Sequence, residues 1–176
     1  MHDRGDEQVT AFVRARYGSL LRTAFLLCGD RGKAEDLVQT ALAKTVVAWS
    51  RLQRSDGIEH YVQRVLVNTF VTSRRRRSWW EQPCARVADS ADRDEYVGVE
   101  QRDQLRRALS RLPVRQRAAV VLRFYADLSE QDTASALGCS VGTVKSLSSR
   151  GLQNLREQWV AADAVADQGV RYAGHD

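Results

Sequence analysis

Cysteine is scarce and scattered: Cys28, Cys84 and Cys139 are odd in number and far apart. Such spacing offers neither a disulfide framework nor paired thiolate ligands. Histidine is as sparse, at His2, His60 and His175 only. No metal site and no cofactor is therefore expected. Proline occurs only at Pro83 and Pro113, each at a break in the helical pattern. No apolar run approaches the roughly 20 residues needed to span a bilayer. The N-terminal MHDRGDEQ lacks the apolar core of a signal peptide. These absences lead to the expectation of a soluble cytoplasmic protein that does not insert into a membrane. Strand-like alternation and internal repeats are missing too. Neither a carboxylate cluster for metal nor an activated serine stands out, so no enzymatic activity is expected.

Positive charge is what the chain has instead. The formal net charge is +5 and the sequence pI about 9.4, which suits an anionic partner. Only Lys33, Lys44 and Lys145 of the 27 basic residues are lysine, a bias that reflects a GC-rich genome more than function. Clustering is more telling, because Arg74–Arg77 is an unbroken run of four.

Apolar residues recur at helical spacing almost throughout, which predicts an all-α fold. Val9, Phe12, Val13, Tyr17, Leu20, Leu21, Ala24 and Leu27 form a first stripe that stops near Gly29. Asp30 can cap a second helix, whose stripe is Ala34, Leu37, Val38, Ala41, Leu42, Thr45 and Trp49. Residues 51–57 read as a polar loop. A third helix from about Ile58 turns Tyr61, Val62, Val65, Leu66 and Thr69 inward and runs into the arginines. Residues 1–78 thus read as one small bundle. Residues 79–99 carry Pro83, Gly98 and five acids with little periodicity, and read as a flexible acidic linker. Residues 100–158 read as a second bundle. Leu105, Ala108, Leu109 and Leu112 line a helix ended by Pro113, and Ala118, Val121, Leu122 and Tyr125 line the next. Residues 159–176 have little to bury and read as a frayed tail.

Within the second bundle, EQDTASALGCSVGTVKSLSSRGLQNLR (Glu130–Arg156) has the spacing of a DNA-reading helix-turn-helix. Ala134 stands four residues before Gly138, a small residue for a close crossing and a glycine for a positive φ. Leu137, Cys139, Val144 and Leu147 are apolar where the second helix meets the first. Ser129 and Ser140 stand where a hydroxyl caps a helix. The second helix points Gly142, Thr143, Lys145, Ser146, Ser149 and Arg150 outward, as a major-groove helix must. A packed helix pair without DNA is the alternative reading of this segment alone, and DNA reading is the favoured one.

Three segments in order narrow the choice. LLRTAFLLCGDRGKAEDLVQTALAKTVVAW (Leu20–Trp49), YVQRVLVNTFVTSRRRR (Tyr61–Arg77) and LPVRQRAAVVLRFYADLSEQDTASALGCSVGTVKS (Leu112–Ser146) resemble the extracytoplasmic-function group of bacterial RNA polymerase sigma factors. Actinobacterial members look closest. The resemblance runs over about residues 12–156 and implies two helical units that bind core polymerase and promoter DNA. Departures exist: many members have Arg at Leu147 and Leu at Ser148, and Asp132-Thr133-Ala134 replaces a more usual Glu-Ile-Ala.

By resemblance, Asp36, Leu37, Gln39, Leu42 and Lys44 bind the β′ clamp helices, although Leu37 and Leu42 read equally well as core. Arg64, Asn68, Arg74, Arg75, Arg76 and Arg77 belong to the segment that meets the minus-ten element. Asn can pair with adenine, and arginines grip phosphates. Asn68 could alternatively be buried and bonded to a backbone carbonyl. Thr143, Lys145, Ser146, Ser149 and Arg150 meet the minus-thirty-five element, with Arg115, Arg117 and Arg123 as weaker phosphate candidates that could instead be solvated. The β flap is the implied partner of the C-terminal unit, and an anti-sigma factor is a further implied partner. Trp79 and Trp80 could stack on unpaired bases or pack the linker. A stand-alone helix-turn-helix regulator is the competing function; it would bind an operator without polymerase.

Overall fold

The computed structural model describes residues 3–52, 57–75 and 96–172, and among these the ordered elements are all helical. They are α1 (Asp3–Cys28), α2 (Arg31–Leu52), α3 (Ile58–Arg75), α4 (Tyr96–Arg111), α5 (Val114–Val120), α6 (Glu130–Leu137) and α7 (Val141–Tyr172). A π-helical turn, Val121–Tyr125, extends α5. Arg76 and Arg77, Trp79 and Trp80, and most of the linker lie outside the described residues.

The first three helices form where the apolar stripes predict them. Gly29 ends α1 with φ +72°, a left-handed conformation that costs glycine little. Asp30 then caps α2, its Oδ1 accepting from the Lys33 backbone N–H at 2.9 Å. α2 packs on both α1 and α3. Trp49 is a core residue, with Phe12 edge-on at 5.4 Å between ring centroids. Leu37 is fully buried and Leu42 nearly so. Both therefore hold α2 in place rather than reach a partner, which corrects their assignment as polymerase contacts.

The apolar face of α3 is wider than its stripe suggests. Val67 and Phe70 are fully buried beside Val62 and Leu66. The reason is that α3 is covered twice, by α2 and by α6. The two helical groups accordingly share one continuous core, from Leu20 in α1 to Val144 in α7.

Several readings of the second half need correction. α4 starts at Tyr96, inside the segment read as linker. Leu105 is exposed, because α4 buries Ala108 and Leu109 instead, with Leu112 just after its end. Tyr125 is also exposed: the wider π turn, with the Ala126 N–H bonded to the Val121 carbonyl at 2.9 Å, rotates it out of the α-helical stripe. Arg117, taken as a phosphate or solvent group, is 3% exposed and bonded to three carbonyls. The backbone of α7 continues as helix to Tyr172, well past the end expected near Gln158.

Gly151 marks the tightest crossing. A Cβ there would stand 2.6 Å from Val120 Cγ2, so α7 can approach α5 only because the side chain is absent.

Candidate nucleic-acid and polymerase interfaces

The helix-turn-helix is built by local chemistry. Ser129 precedes α6, and its Oγ accepts from the Asp132 N–H at 3.0 Å. Gly138 ends α6 at φ 60°, ψ 46°. The Cys139 N–H reaches the Ala134 carbonyl at 3.0 Å and the Gly138 N–H that of Ser135 at 3.3 Å, the paired bonds of a Schellman motif. Ser140 then caps α7, accepting from the Thr143 N–H at 3.2 Å. Val144 is fully buried against α6, and Cys139 and Leu147 are half-buried against the same core.

Burying that face turns the other one out. Gly142, Thr143, Lys145, Ser146, Ser149 and Arg150 are all exposed on the first turns of α7. The Thr143 hydroxyl shares a hydrogen bond of 2.9 Å with Ser140 Oγ, so it also supports the cap. Lys145 Nζ lies 3.5 Å from a Glu130 carboxylate oxygen. Beside them a cavity of about 340 Å³ is lined by Arg123, Lys145, Ser149 and Arg156 among others. The face is therefore cationic and concave, with hydroxyl groups among the charges. Arg115 donates to the Leu137 carbonyl at 3.2 Å and Arg123 to that of Leu128, so both brace the turn around α6.

On α3, Arg64 and Asn68 are exposed one turn apart. The exposure of Asn68 rules out the buried alternative. Arg64 places its guanidinium 5.4 Å from the Tyr61 ring centroid, a cation–π contact that holds it along the helix. Arg74 and Arg75 continue the backbone of the same helix.

α2 presents a third face. Asp36, Gln39 and Lys44 are exposed. Between them and the helix end lie Ala43, Val46 and Val47, also exposed, Val47 at 87%. Ala43, Lys44, Val47, Ala48, Arg51 and Tyr61 line a shallow cavity of about 510 Å³. Sequence reasoning missed this apolar extension. The signal was present, since Val46 and Val47 interrupt the spacing of Thr45 and Trp49, which point inward.

Two carboxylates are held below the usual carboxylate range. For Asp132 the main cause is the Ser129 hydroxyl hydrogen bond, with His60 adding a favourable charge and contact at 3.2 Å. For Asp103 the main cause is the hydrogen bond from Arg106. Among the described residues no cluster of His, Cys, Asp or Glu could hold a metal ion. No helix among them is long and apolar enough to cross a membrane.

An all-α protein with a capped helix-turn-helix, a second basic helix and an exposed apolar face belongs to the class of DNA-reading transcription factors. Comparison with known proteins sharpens this. Residues 12–80 match Sigma-70 region 2, and residues 102–155 match Sigma-70, region 4. The chain is 40% identical over 155 residues to the RNA polymerase sigma-E factor of Streptomyces coelicolor, covering 88% of each chain. It is 33% identical over 156 residues to the ECF RNA polymerase sigma factor SigM of Mycobacterium tuberculosis, covering 88% of this chain and 79% of that one. The sigma factor RpoE of Bartonella quintana, solved in complex with the anti-sigma factor NepR, is similar in structure. Its TM-score is 0.68 at 26% identity, over 87% of this chain and 97% of that one. The chain belongs to the extracytoplasmic-function sigma factors and is an alternative sigma factor of RNA polymerase.

Proposed function

We propose that the work of promoter recognition is divided among the three faces. The outward face of α2, with Asp36, Gln39, Lys44 and the exposed Val46 and Val47, docks on the β′ clamp helices of core polymerase. Arg64 and Asn68 of α3 read the minus-ten element, and the arginines that follow grip its phosphates. Thr143, Lys145, Ser146, Ser149 and Arg150 of α7 meet the minus-thirty-five element in the major groove. The C-terminal unit engages the β flap. The protein initiates transcription without catalysing a reaction of its own, and it works in the cytoplasm, where polymerase and promoters are. The relative solved with an anti-sigma factor supports an anti-sigma partner here as well.

The observation that carries this reading is an exposed apolar patch beside exposed polar side chains on one helix, in a chain whose other two outward faces are basic. Val47, at 87% exposure, buries little of its surface in the fold. Apolar patches rimmed by polar residues mark protein docking sites.

Run-off transcription with actinobacterial core polymerase and a genomic-fragment library tests it. New start sites sharing two upstream motifs at fixed separation are expected only when the protein is added. A protein that binds a DNA site alone and yields no new start would instead be a stand-alone regulator.

A further inference from the structure

Ser148 carries a hydroxyl that the fold does not use. The residue is 8% exposed in α7, and its Oγ is buried with no hydrogen-bond partner. A hydroxyl inside a helix ordinarily bonds a carbonyl one turn back. Ser19, Thr23, Thr45, Ser73 and Ser110 all do so here. Leaving a buried donor unpaired is costly, so a group that completes it gains binding free energy.

The hydroxyl belongs to a residue that lines the cavity of about 340 Å³ beside α7. Lys145, Ser149, Leu152 and Arg156 line it from the same face of α7. Arg123 and Phe124 of the π turn and Glu130 of α6 line it from across. Three cations thus face one carboxylate. Glu130 lies 3.5 Å from Lys145, and Arg123 is engaged with the Leu128 carbonyl. Arg156 is exposed and forms no ion pair with any described residue. Phe124 is 58% exposed, its ring face 5.9 Å from the Arg123 guanidinium carbon. The larger cavity between the two halves, about 420 Å³ and rimmed by Asp127, differs in having Arg16 paired with Glu59 and His60 with Asp132.

The geometry points to a binding site for a phosphate monoester that carries a flat ring, a ligand of the nucleoside monophosphate class. Such an ester bears about two negative charges at neutral pH, which three cations and one carboxylate balance. Its terminal oxygens accept from the Ser148 and Ser149 hydroxyls, Lys145 and Arg156 together. Its ring lies on Phe124, over the apolar side of Leu152. A cavity of about 340 Å³ is at the small end of ligand sites, which suits one nucleotide. Lys145 and Ser149 are also assigned to the minus-thirty-five element, so the ester and the duplex exclude each other; this consequence rests on that assignment, whereas the site itself does not.

Isothermal titration calorimetry on the full chain tests the site, with adenosine 5′-monophosphate, inorganic phosphate and adenosine as probes. The monophosphate should bind several-fold more tightly than phosphate, and adenosine should give no measurable heat. Ser148→Ala removes only an unpaired hydroxyl and should fold as the native protein does, which a thermal melt checks. It should weaken the monophosphate about tenfold. Arg156→Ala should weaken it at least as much. Phe124→Ala should bring it down to the affinity of phosphate. Arg111→Ala, which removes an exposed charge on α4 outside the cavity, should change nothing. Absence of binding by both anions, equal affinity for the two, a folded Ser148→Ala protein that binds as the native one does, or equal losses in Arg111→Ala and Arg156→Ala would each overturn the site. Displacement of a bound promoter duplex then separates the site from the functional reading. The monophosphate should displace the duplex from the native protein far better than from Ser148→Ala. If the calorimetry comes out as stated and the duplex stays bound, the site stands and the placement of Lys145 and Ser149 on the minus-thirty-five element fails.

Discussion

Arg117 and Leu27 are 90 residues apart in sequence and share a hydrogen bond of 2.7 Å in the fold. The guanidinium belongs to the helix-turn-helix half and the carbonyl to the end of the first helix of the other half. One buried side chain thus ties the helix-turn-helix unit to the three helices of the N-terminal half. It adds a polar tie to the core that the two halves share through the packing of α3 on α6.

The outward face of α2, proposed to dock on polymerase, and its core face should separate cleanly by mutation. Val47→Glu changes a side chain that is 87% exposed, so stability should stay within about 0.5 kcal/mol of native. Affinity for core polymerase should nevertheless fall by tenfold or more, since a charge replaces apolar contact. Leu37→Ala should do the opposite at equal protein folding. It should cost about 2–5 kcal/mol in a urea melt, because Leu37 is fully buried. Equal polymerase affinity for Val47→Glu and the native protein, measured by fluorescence anisotropy, would remove α2's outer face from the interface.

Gly151→Ala should destabilise the C-terminal unit by about 1–3 kcal/mol, the usual range for overpacking. The added methyl would meet Val120 Cγ2 at 2.6 Å. Val120 branches at Cβ and sits 6% exposed in the core, so it has little room to turn away. Adding Val120→Ala should recover part of the loss. A thermal melt of the single and double variants checks both statements, and additive losses would mean that the two sites do not touch.

Asp127→Gly should stabilise the protein by about 0.5–1 kcal/mol, since a side chain at positive φ carries steric cost that glycine avoids. Asp127 has φ +53° in the turn that leads into α6. The gain should appear as a higher urea midpoint with unchanged slope. A loss would show that the Asp127 carboxylate, at the rim of the cavity between the halves, has a stabilising partner.

How much of this was legible from sequence depended on the range of the interactions. Ser129, Gly138 and Ser140 announce the helix-turn-helix because a cap and a left-handed turn are set by a few neighbouring residues. Asp30 and Gly29 do the same between α1 and α2. Val67 and Phe70 were missed because their burial depends on α6, which lies far along the chain. Arg117 was misread as a surface group for the same reason: its acceptors include a carbonyl on another element. Tyr125 went wrong through geometry, since no sequence periodicity of 3.6 anticipates a π turn. At the candidate sites, the outward residues of α7 were legible because their buried counterparts, Leu137 and Val144, are apolar at fixed offsets. Val46 and Val47 were missed although they fall out of step with the inward Thr45 and Trp49, because an apolar side chain on the outward positions carries no polar mark of exposure.

Acid should weaken the start of the helix-turn-helix in a defined direction. The carboxyl of Asp132 is held below its usual range, first by the Ser129 hydroxyl and then by His60. A depressed carboxylate pKa adds stability that is fully present above the unfolded value of about 3.9 and is lost as pH falls through the folded value. Stability should therefore be insensitive to this group above about pH 5 and decline below about pH 4. Asp132→Asn should flatten that decline, leaving the rest of the acid transition to other carboxylates, Asp103 among them. Ser129→Ala removes both the cap and the main cause of the shift. It should cost about 1 kcal/mol at neutral pH and also shrink the acid-dependent part. Urea melts between pH 3 and pH 7 give both quantities. An Asp132→Asn protein with the same pH profile as the native one would mean that the Ser129–Asp132 contact does not persist in solution.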